Sequence, residues 1–519
     1  MSSAVDPAQL LDMVSLKLNV NIFFVTILAA IVLFMQCGYA LLEAGSVRSK
    51  NATNIVIKGL LCTVISVLVF WGMGYAFAHG PGNFFLGWRY FFGESMPEIL
   101  NSHWLWHTVL AVTASSIASS SMAGRCEFYA YPLMTFLITG VIFPFISHWC
   151  WHPDGWLKLG TKDGVGYEDF AGSGVVHVLG GTAAWVAAIL LGPRRGKFIK
   201  DSRKTHNIPG HSSPLSALGG FILIFGLLAF NGGAKGSITE AGDGQILIRA
   251  VMNTVLSGMA AAMAAVITKK IAHTLSQHCC RGTDPGWTLQ TLINSTLTGM
   301  VAIGACADVL YPWGAAAVGW MAGWAYIAWS MFLMEIKVDD PMNTVAVHLG
   351  GGLWGVIARP LLKMNTGIVF VANKNSFLGF AWNVAGAASI IGWTAGILLL
   401  VLGTVRLMGL LRVTEGVESK GLDVLQHHEP AYPEQIVGDE AESEMGDEKA
   451  IISQNGHVNG LGKPSSYFMG PHLHRQPSTT RNTPELGRDR YRQSGRSRHH
   501  DNSGLGGYDN PTFDHTTMF

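Results

Sequence analysis

Charged residues are scarce in this sequence: they make up only 13% of its 519 residues, against about 25% in soluble domains. This shortage argues against an ordinary soluble domain. Hydrophobic residues account for 49% of the chain. Long apolar runs, such as 23–42, 60–78 and 390–403, match a hydrocarbon core about 30 Å thick. We therefore expect a membrane protein rather than an enzyme of the cytosol.

Several other signals are missing. The first 18 residues lack the basic stretch of a cleavable signal peptide and contain Asp6 and Asp12, so we expect the first apolar segment to be retained as a span. The seven cysteines lack metal-ligand spacing, and we interpret them as packing residues. Palmitoylation of Cys279 and Cys280 is the less favoured alternative to two unmodified thiols. We predict no metal, no cofactor and no nucleic-acid partner.

Eleven apolar stretches are long enough to be transmembrane helices. The sequence therefore predicts an all-α polytopic membrane protein, and its 62 glycines favour a tight bundle of closely packed helices. The stretches begin near Asn19, Asn54, Trp104, Pro132, Gly172, Pro214, Ile248, Leu289, Trp313, Met342 and Gly379.

Basic residues predict the orientation of these spans, because they favour cytoplasmic flanks. Lysine or arginine follows each odd-numbered span, which predicts an extracellular N-terminus and a cytoplasmic C-terminus. The basic residues that follow those spans include Arg48, Arg125, Arg194, Lys269, Lys337 and Arg406. Four basic residues fall on the outer side as exceptions: Arg89, Lys158, Lys162 and Arg359.

Four regions follow from this pattern. We predict an extracellular tail at 1–18, a transmembrane domain at 19–410, a partly ordered cytoplasmic segment at 411–440 and a disordered cytoplasmic tail at 441–519. The last region includes a stretch with too few large apolar residues to fold. The sequon at Asn51 lies on the predicted cytoplasmic side, so we expect no glycan there.

A motif that pairs aspartate with histidine occurs twice within apolar surroundings. Asp169 precedes His177 by eight residues, and Asp340 precedes His348 by the same spacing. Two glycines follow each histidine at plus three and plus four. An aspartate before a helix caps free N–H groups, and Pro341 would suit the first helical position.

The spacing predicts where each histidine lies. Eight helical residues rise about 12 Å, which would place both imidazoles near the middle of the bilayer. The predicted orientation makes the two helices run in opposite directions. Spans one to five and six to ten would then be inverted repeats with a site between the halves.

Three interpretations of the histidines stay open. Each histidine could be a satisfied core residue, although intramembrane ionisable residues are rare and tend to mark pathways. Ligation of haem by both histidines is a weaker alternative, because the neighbouring glycines suggest close packing. A pair of neutral imidazoles in a dry pore could instead exchange hydrogen bonds and protons with a small donor molecule. Such a molecule would cross more easily as its neutral conjugate base.

The chain closely resembles the ammonium transporter family (Amt, Mep and Rh proteins), and the Amt branch in particular, from about the first span to about Tyr432. The resemblance implies eleven spans in two inverted five-helix halves plus a final helix, a homotrimer with one pore per subunit, and transport of ammonium or ammonia, with methylammonium as an analogue. It is carried by residues 36–45, 169–177, 229–231, 338–341 and 421–423.

The resemblance also implies roles for single residues. His177 and His348 correspond to the twin pore histidines of the family. Trp151 resembles a vestibule tryptophan that holds ammonium by cation–π attraction, and Asp169 a structural cap that aids cation binding indirectly. Phe230 resembles one of two stacked gate phenylalanines. Without the resemblance, Trp151 would be read as an interfacial residue and Phe230 as ordinary packing.

Three positions depart from the family pattern. Leu110 stands where the other gate phenylalanine is expected, Ala234 where a vestibule serine is expected, and Gly124 where a glutamate is common. Loss of an aromatic ring and a hydroxyl is expected to weaken recruitment of the cation. These departures keep open a second hypothesis, an ammonium sensor that signals through its cytoplasmic tail.

Overall fold

The computed structural model describes residues 7–199, 205–279 and 287–432, with no side-chain description for residue 7 or residues 276–279. Several sequence-based predictions lie outside these residues, among them the disordered tail at 441–519 and the modification of Cys280. The described part of the N-terminal tail is helical, since the first helix begins at Pro7.

The described residues form helices and no strands. The α-helices are numbered in chain order: α1 Pro7–Ser46, α2 Ala52–Val69, α3 Tyr75–His79, α4 Asn101–Ser120, α5 Ala130–Leu137, α6 Phe143–Trp151, α7 Trp156–Leu159, α8 Leu179–Leu191, α9 Ser213–Gly233, α10 Asp243–Cys279, α11 Leu289–Ile303, α12 Pro312–Glu335, α13 Gly351–Leu362, α14 Lys374–Leu407, α15 Glu415–Lys420 and α16 Leu422–His427. Four wider π-helical turns adjoin these helices. Phe70–Gly74 joins α2 to α3, and Ile138–Ile142 joins α5 to α6. Ser173–Val178 leads into α8, and Val345–Gly350 leads into α13.

A helix occurs at each of the eleven predicted positions. Among the described residues, nine helices are long and apolar enough to cross a membrane. The other two are α4, which has 20 residues but is less apolar, and α11, which has only 15 residues. The chain is therefore a multi-pass helical membrane protein, while the count of eleven spans stays a prediction.

The modest hydropathy of α4 follows from its position in the bundle. Every residue from Trp106 to Ser120 is buried, so this helix contacts protein rather than lipid. Its hydroxyl groups are satisfied internally: Thr113 Oγ1 donates to the Val109 carbonyl at 2.8 Å, and Ser121 Oγ donates to the Ala184 carbonyl at 2.7 Å. A helix with such bonds needs less apolar surface than a lipid-facing helix.

The segment after α14 docks onto the start of α2. The Asp423 carboxylate accepts the backbone N–H groups of Thr53 at 3.1 Å and Asn54 at 2.8 Å. The Leu422 N–H donates to Asn51 Oδ1 at 3.0 Å. Asn51 is only 2% exposed, so its side chain is committed to this contact rather than available to a glycan. The described residues beyond 411 include the short helices α15 and α16, while the partly ordered segment at 411–440 stays a prediction.

Arg359, an exception to the charge pattern, is neutralised inside the protein. Its guanidinium donates to Glu168 at 2.8 Å and to Asp308 at 2.6 Å, and Lys363 also contacts Glu168 at 2.8 Å. Although burial opposes ionisation, Arg359 and Lys363 hold the pKa of Glu168 at about 2. The positive charge of Arg359 is therefore balanced by carboxylates inside the protein.

Candidate functional site

The two histidines of the repeated motif meet in the interior of the bundle. His177 Nδ1 and His348 Nδ1 are 3.1 Å apart, and the imidazole rings stack with an interplanar angle of 18°. The side chains are 1% and 7% exposed. The structure therefore brings together two residues that are 171 positions apart in the sequence.

Both histidines lie on π-helical turns that lead directly into α-helices. Ser173–Val178 carries His177 and continues as α8, and Val345–Gly350 carries His348 and continues as α13. The His177 N–H donates to the Gly172 carbonyl five residues earlier, at 3.1 Å. Single π turns of this kind are frequent at functional sites, and the sequence alone does not reveal them.

Asp169 provides the predicted cap, but from outside the helix. Its two carboxylate oxygens accept the backbone N–H groups of residues 172–175 at 2.8–3.1 Å. The chain loops round the carboxylate, helped by Gly172 at φ +98°, and the helix begins only at Ser173. The predicted rise of eight helical residues between Asp169 and His177 is therefore wrong, because the first three of them, residues 170–172, lie before the helix begins at Ser173. Burial raises the pKa of Asp169, while the N–H donors act against this shift.

The second copy of the motif differs more from its prediction. Asp340 Oδ2 accepts the Val345 N–H at 2.7 Å, and the helical turns begin there. Pro341 lies in a turn, so its predicted place at the first helical position is wrong. The reason is again that the carboxylate caps N–H groups several residues further along the chain. Burial raises the pKa of Asp340 to about 6.

The glycines that follow the two histidines allow the two motif segments to pack closely on each other. A Cβ on Gly181 would stand 2.3 Å from the Leu349 backbone nitrogen, and one on Gly352 would stand 2.5 Å from the Ser173 carbonyl oxygen. Gly181 therefore packs against the backbone of the segment that contains His348, and Gly352 packs against the backbone of the segment that contains His177. This reciprocal contact fits two related halves.

Substitution of either glycine should disrupt this contact. We expect Gly181→Ala and Gly352→Ala to lower the melting temperature of the purified protein by several degrees, since backbone atoms at 2.3–2.5 Å must move. Gly396→Ala in α14 is the matched control, because a Cβ there has no atom within 4 Å. Equal melting temperatures for all three variants would contradict the close packing.

The short contact between the histidines fixes their hydrogen-bonding roles. A neutral imidazole has one N–H and one lone pair, so in a bond between two Nδ1 atoms one ring donates and the other accepts. The donor ring must then offer a lone pair at Nε2, and the acceptor ring an N–H at Nε2. The neutral pair can therefore both accept a hydrogen bond from a small molecule and donate one to it.

The same distance argues against haem. Two axial ligands of haem lie on opposite faces of the macrocycle with iron between them. Two Nδ1 atoms only 3.1 Å apart leave no space for a macrocycle. The haem hypothesis does not fit this pair.

The other predicted site residues make different contacts. Phe230 is fully buried, with its ring centroid 5.5 Å from that of His177. Trp151 ends α6, and its Nε1 donates to the Asp169 carbonyl at 2.8 Å. Leu110 is buried on α4, and Ala234 directly follows α9. The structure thus brings the rings of His177 and Phe230 into contact and joins Trp151 to Asp169 by a hydrogen bond. Leu110 and Ala234 have apolar side chains and take no part in these two contacts.

A cavity of about 400 Å³ lies next to Asp340 and Asn343. Its wall includes Arg194, which is bound through its Nε to Asp339 at 2.7 Å. Despite burial, Arg194 holds the pKa of Asp339 at about 2. Charged and polar side chains thus line a cavity at the second copy of the motif.

Sequence reasoning missed one group of residues near Trp151. His79, His103 and His107 converge there, with His107 5.7 Å from Trp151 between ring centroids. Part of the signal was available, because the spacing between His103 and His107 is that of two ligands on one helix face. His79 comes from a different helix, and only the fold brings it close.

Fold and site together define a membrane transporter: a multi-pass helical bundle with a buried pair of hydrogen-bonding groups. The sequence profile of the Ammonium Transporter Family matches residues 23–432. The chain belongs to this family, which confirms the resemblance.

Relatives and solved structures agree with this assignment. A Caenorhabditis elegans protein with the provisional name ammonium transporter 1 is 41% identical over 81% of this chain and 80% of its own length. Ammonium transporter 1 member 3 of Solanum lycopersicum is 31% identical over 80% of this chain and 93% of its own.

Among solved structures, a chain described as a sensor Amt protein is 29% identical with a TM-score of 0.71, covering 80% of this chain and 99% of its own. Mep2 of Saccharomyces cerevisiae shares the fold, with 21% identity, a TM-score of 0.64 and coverage of 76% and 89%.

Proposed function

We propose that this protein transports ammonium across the plasma membrane through a pore lined by His177 and His348. The observation that carries the proposal is the buried contact of 3.1 Å between their Nδ1 atoms. An ordinary core histidine would instead bond to a backbone carbonyl or hydroxyl. Here each imidazole has the other as its partner, and the Nε2 atoms remain for a substrate.

Desolvation explains why the substrate crosses as ammonia. A bare ammonium ion would lose its hydration at a buried site, at a large cost in free energy. Ammonia is small and neutral, and it can both donate and accept hydrogen bonds. The tautomers required by the histidine contact match it, with one lone pair and one N–H to offer.

The proposed path begins at Trp151, whose ring holds ammonium by cation–π attraction. Asp169 supports this position because its carbonyl accepts the Trp151 N–H. Ammonium gives its proton to water on the Trp151 side of Phe230, which lies against His177, and ammonia passes the two histidines to the cavity beside Asp340.

The wider assembly belongs to the same proposal. The chain forms eleven spans with an extracellular N-terminus and a cytoplasmic C-terminus, as two inverted halves of five helices plus α14. Three copies form a homotrimer in the lipid bilayer, with one pore in each. The reciprocal contacts of Gly181 and Gly352 support the relation between the halves.

Uptake of labelled methylammonium tests the function. Cells that lack their own ammonium transporters should accumulate the label when they express the full chain, and excess ammonium should compete. A fluorescent tag at the C-terminus reports whether the protein reaches the plasma membrane. Absence of uptake by correctly located protein would overturn the transport proposal.

Trp151 should set the affinity rather than the maximal rate. A cation–π contact contributes about 0.5–2 kcal/mol, so Trp151→Leu should raise the half-saturating methylammonium concentration by about 2- to 30-fold. Trp151→Phe keeps an aromatic face but loses the hydrogen bond to Asp169, and we expect a smaller increase. Dose–response curves of uptake measure both. Equal curves for Trp151→Leu and wild type would remove Trp151 from the vestibule.

An ammonium sensor with little transport is the second candidate. It is favoured by the likeness to a solved structure described as a sensor Amt protein and by the apolar residues Leu110 and Ala234 in the predicted vestibule. Membrane localisation without uptake, together with ammonium binding to the purified protein, is the result that this candidate predicts.

A further inference from the structure

A cluster of three histidines lies beside Trp151 and apart from the pore pair. The ligand nitrogens of His79, His103 and His107 all lie within 4.8 Å of one another. The ring centroids of His79 and His107 are 3.9 Å apart, and those of His103 and His107 are 4.3 Å apart. We propose that these histidines bind a divalent transition-metal ion of the zinc class.

The local fold places the three imidazoles on two neighbouring helices. His103 and His107 are one turn apart on α4, so both project from one face of the helix. His79 is the last residue of α3 and approaches that face from the side. Two ligands at a spacing of four on a helix and a third from elsewhere make a common arrangement for a metal site.

Outer contacts orient two of the three rings. Tyr75 Oη lies 3.0 Å from His103 Nδ1, and Ser147 Oγ lies 3.3 Å from His79 Nε2. The first contact uses Nδ1 of His103, so its Nε2 can bind a metal. The second uses Nε2 of His79, so its Nδ1 can bind a metal. Metal-binding histidines almost always have such a partner on the second nitrogen.

His107 gives an independent reason to expect a ligand. Its side chain is 8% exposed, and its Nδ1 has no hydrogen-bond partner among the described residues. A buried polar atom without a partner costs about 1–3 kcal/mol. A metal ion held by the cluster would satisfy an otherwise unpaired imidazole.

The donor set indicates the class of metal. Neutral imidazoles suit Zn²⁺, Cu²⁺ and Ni²⁺, whereas Mg²⁺ and Ca²⁺ prefer oxygen. Tetrahedral Zn²⁺ with bonds of about 2.0–2.1 Å requires nitrogens about 3.3–3.4 Å apart, so nitrogens that lie within 4.8 Å of one another need to approach by at most about 1.5 Å. His148 is no fourth ligand, because its nitrogens contact the Ala78 carbonyl at 3.0 Å and the Asn83 carbonyl at 2.7 Å.

The position of the site suggests inhibition of transport by the metal, a consequence that rests on the proposed function. The His107 ring meets Trp151 at 5.7 Å between centroids. Three neutral imidazoles leave the metal with its full double charge, which repels ammonium from the Trp151 ring. Zn²⁺ should therefore lower uptake of methylammonium.

Calorimetric titration of the detergent-purified full chain with ZnCl₂ tests the site itself. We expect about one strong site per chain and an affinity at least about tenfold weaker in His79→Gln and His103→Gln. His206→Gln, which changes an exposed histidine elsewhere, should bind as wild type does. Absence of strong binding to wild type, or unchanged binding in both cluster variants, would overturn the proposal.

A spectroscopic measurement keeps the test decisive if the variants fold poorly. Cu²⁺ added to wild type in equimolar amount should show electron paramagnetic resonance couplings to several imidazole nitrogens. A spectrum without them would also overturn the site. Thermal melting and size-exclusion profiles establish which variants are folded.

Uptake measurements separate the metal site from the transport function. We expect Zn²⁺ to inhibit wild type and to inhibit His103→Gln much less, with equal uptake by both in the absence of metal. Equal inhibition of both would overturn regulation through this site. Metal binding without any uptake by wild type would instead contradict the proposed transport.

Discussion

Replacement of His177 or His348 by alanine is expected to lower methylammonium uptake by about 5- to 160-fold. Each substitution removes one side of the contact of 3.1 Å and leaves the other imidazole buried with an unpaired nitrogen. Loss of a buried hydrogen bond costs about 1–3 kcal/mol, and each 1.36 kcal/mol added to the barrier is about a factor of ten in rate. Initial rates in transporter-deficient cells measure the effect.

His206→Ala is the matched control, since its side chain is exposed. Tag fluorescence at the plasma membrane must be equal for all variants before rates are compared. The double variant should be little worse than either single variant, because the two histidines act as one unit. Uptake at wild-type rates in both single variants would show that the substrate does not pass along the two histidines.

Asp169→Ala is expected to prevent accumulation of folded protein. The carboxylate accepts four backbone N–H groups of residues 172–175, and the Tyr167 hydroxyl donates to it at 3.2 Å. Bonds to a charged acceptor contribute about 1.5–3 kcal/mol each, so four of them approach the total stability of about 5–15 kcal/mol of a typical protein. The yield of monodisperse protein on size exclusion measures the loss.

Two further variants serve as an intermediate case and a control for this prediction. Asp169→Asn keeps one carbonyl oxygen for two of the N–H groups, and we expect an intermediate yield and a lowered melting temperature. Asp163→Ala changes an exposed aspartate in the same loop region and should behave as wild type. A normal yield of folded Asp169→Ala would mean that the cap is dispensable.

The repeated motif could be read from the sequence because its chemistry is local. A histidine in an apolar run and an aspartate just before it are both unusual, and the second copy made a chance occurrence less credible. The structure adds how they work: His177 and His348 contact each other directly, and the glycines beyond them pack on the opposite segment. The role of this pair in transport stays a proposal.

The errors concern features that depend on tertiary contacts. The helix was expected to start near Asp169, but a carboxylate that binds four N–H groups holds the chain in a loop until Ser173. No local pattern of apolar residues encodes the π-helical turns at Ser173–Val178 and Val345–Gly350. Nine helices among the described residues are long and apolar enough to span a membrane; α4 and α11, which are largely buried by protein, stay predicted spans.

Labelled methylammonium uptake into proteoliposomes made from the purified protein tests the central claim most directly, because no other transporter is present. Vesicles with wild type should take up label faster than protein-free vesicles, and unlabelled ammonium should reduce this uptake. Vesicles with the double variant of His177→Ala and His348→Ala, reconstituted at equal density, should take up label at least about fivefold more slowly than wild-type vesicles. Uptake by the double variant at the wild-type rate would contradict a pore lined by the two histidines.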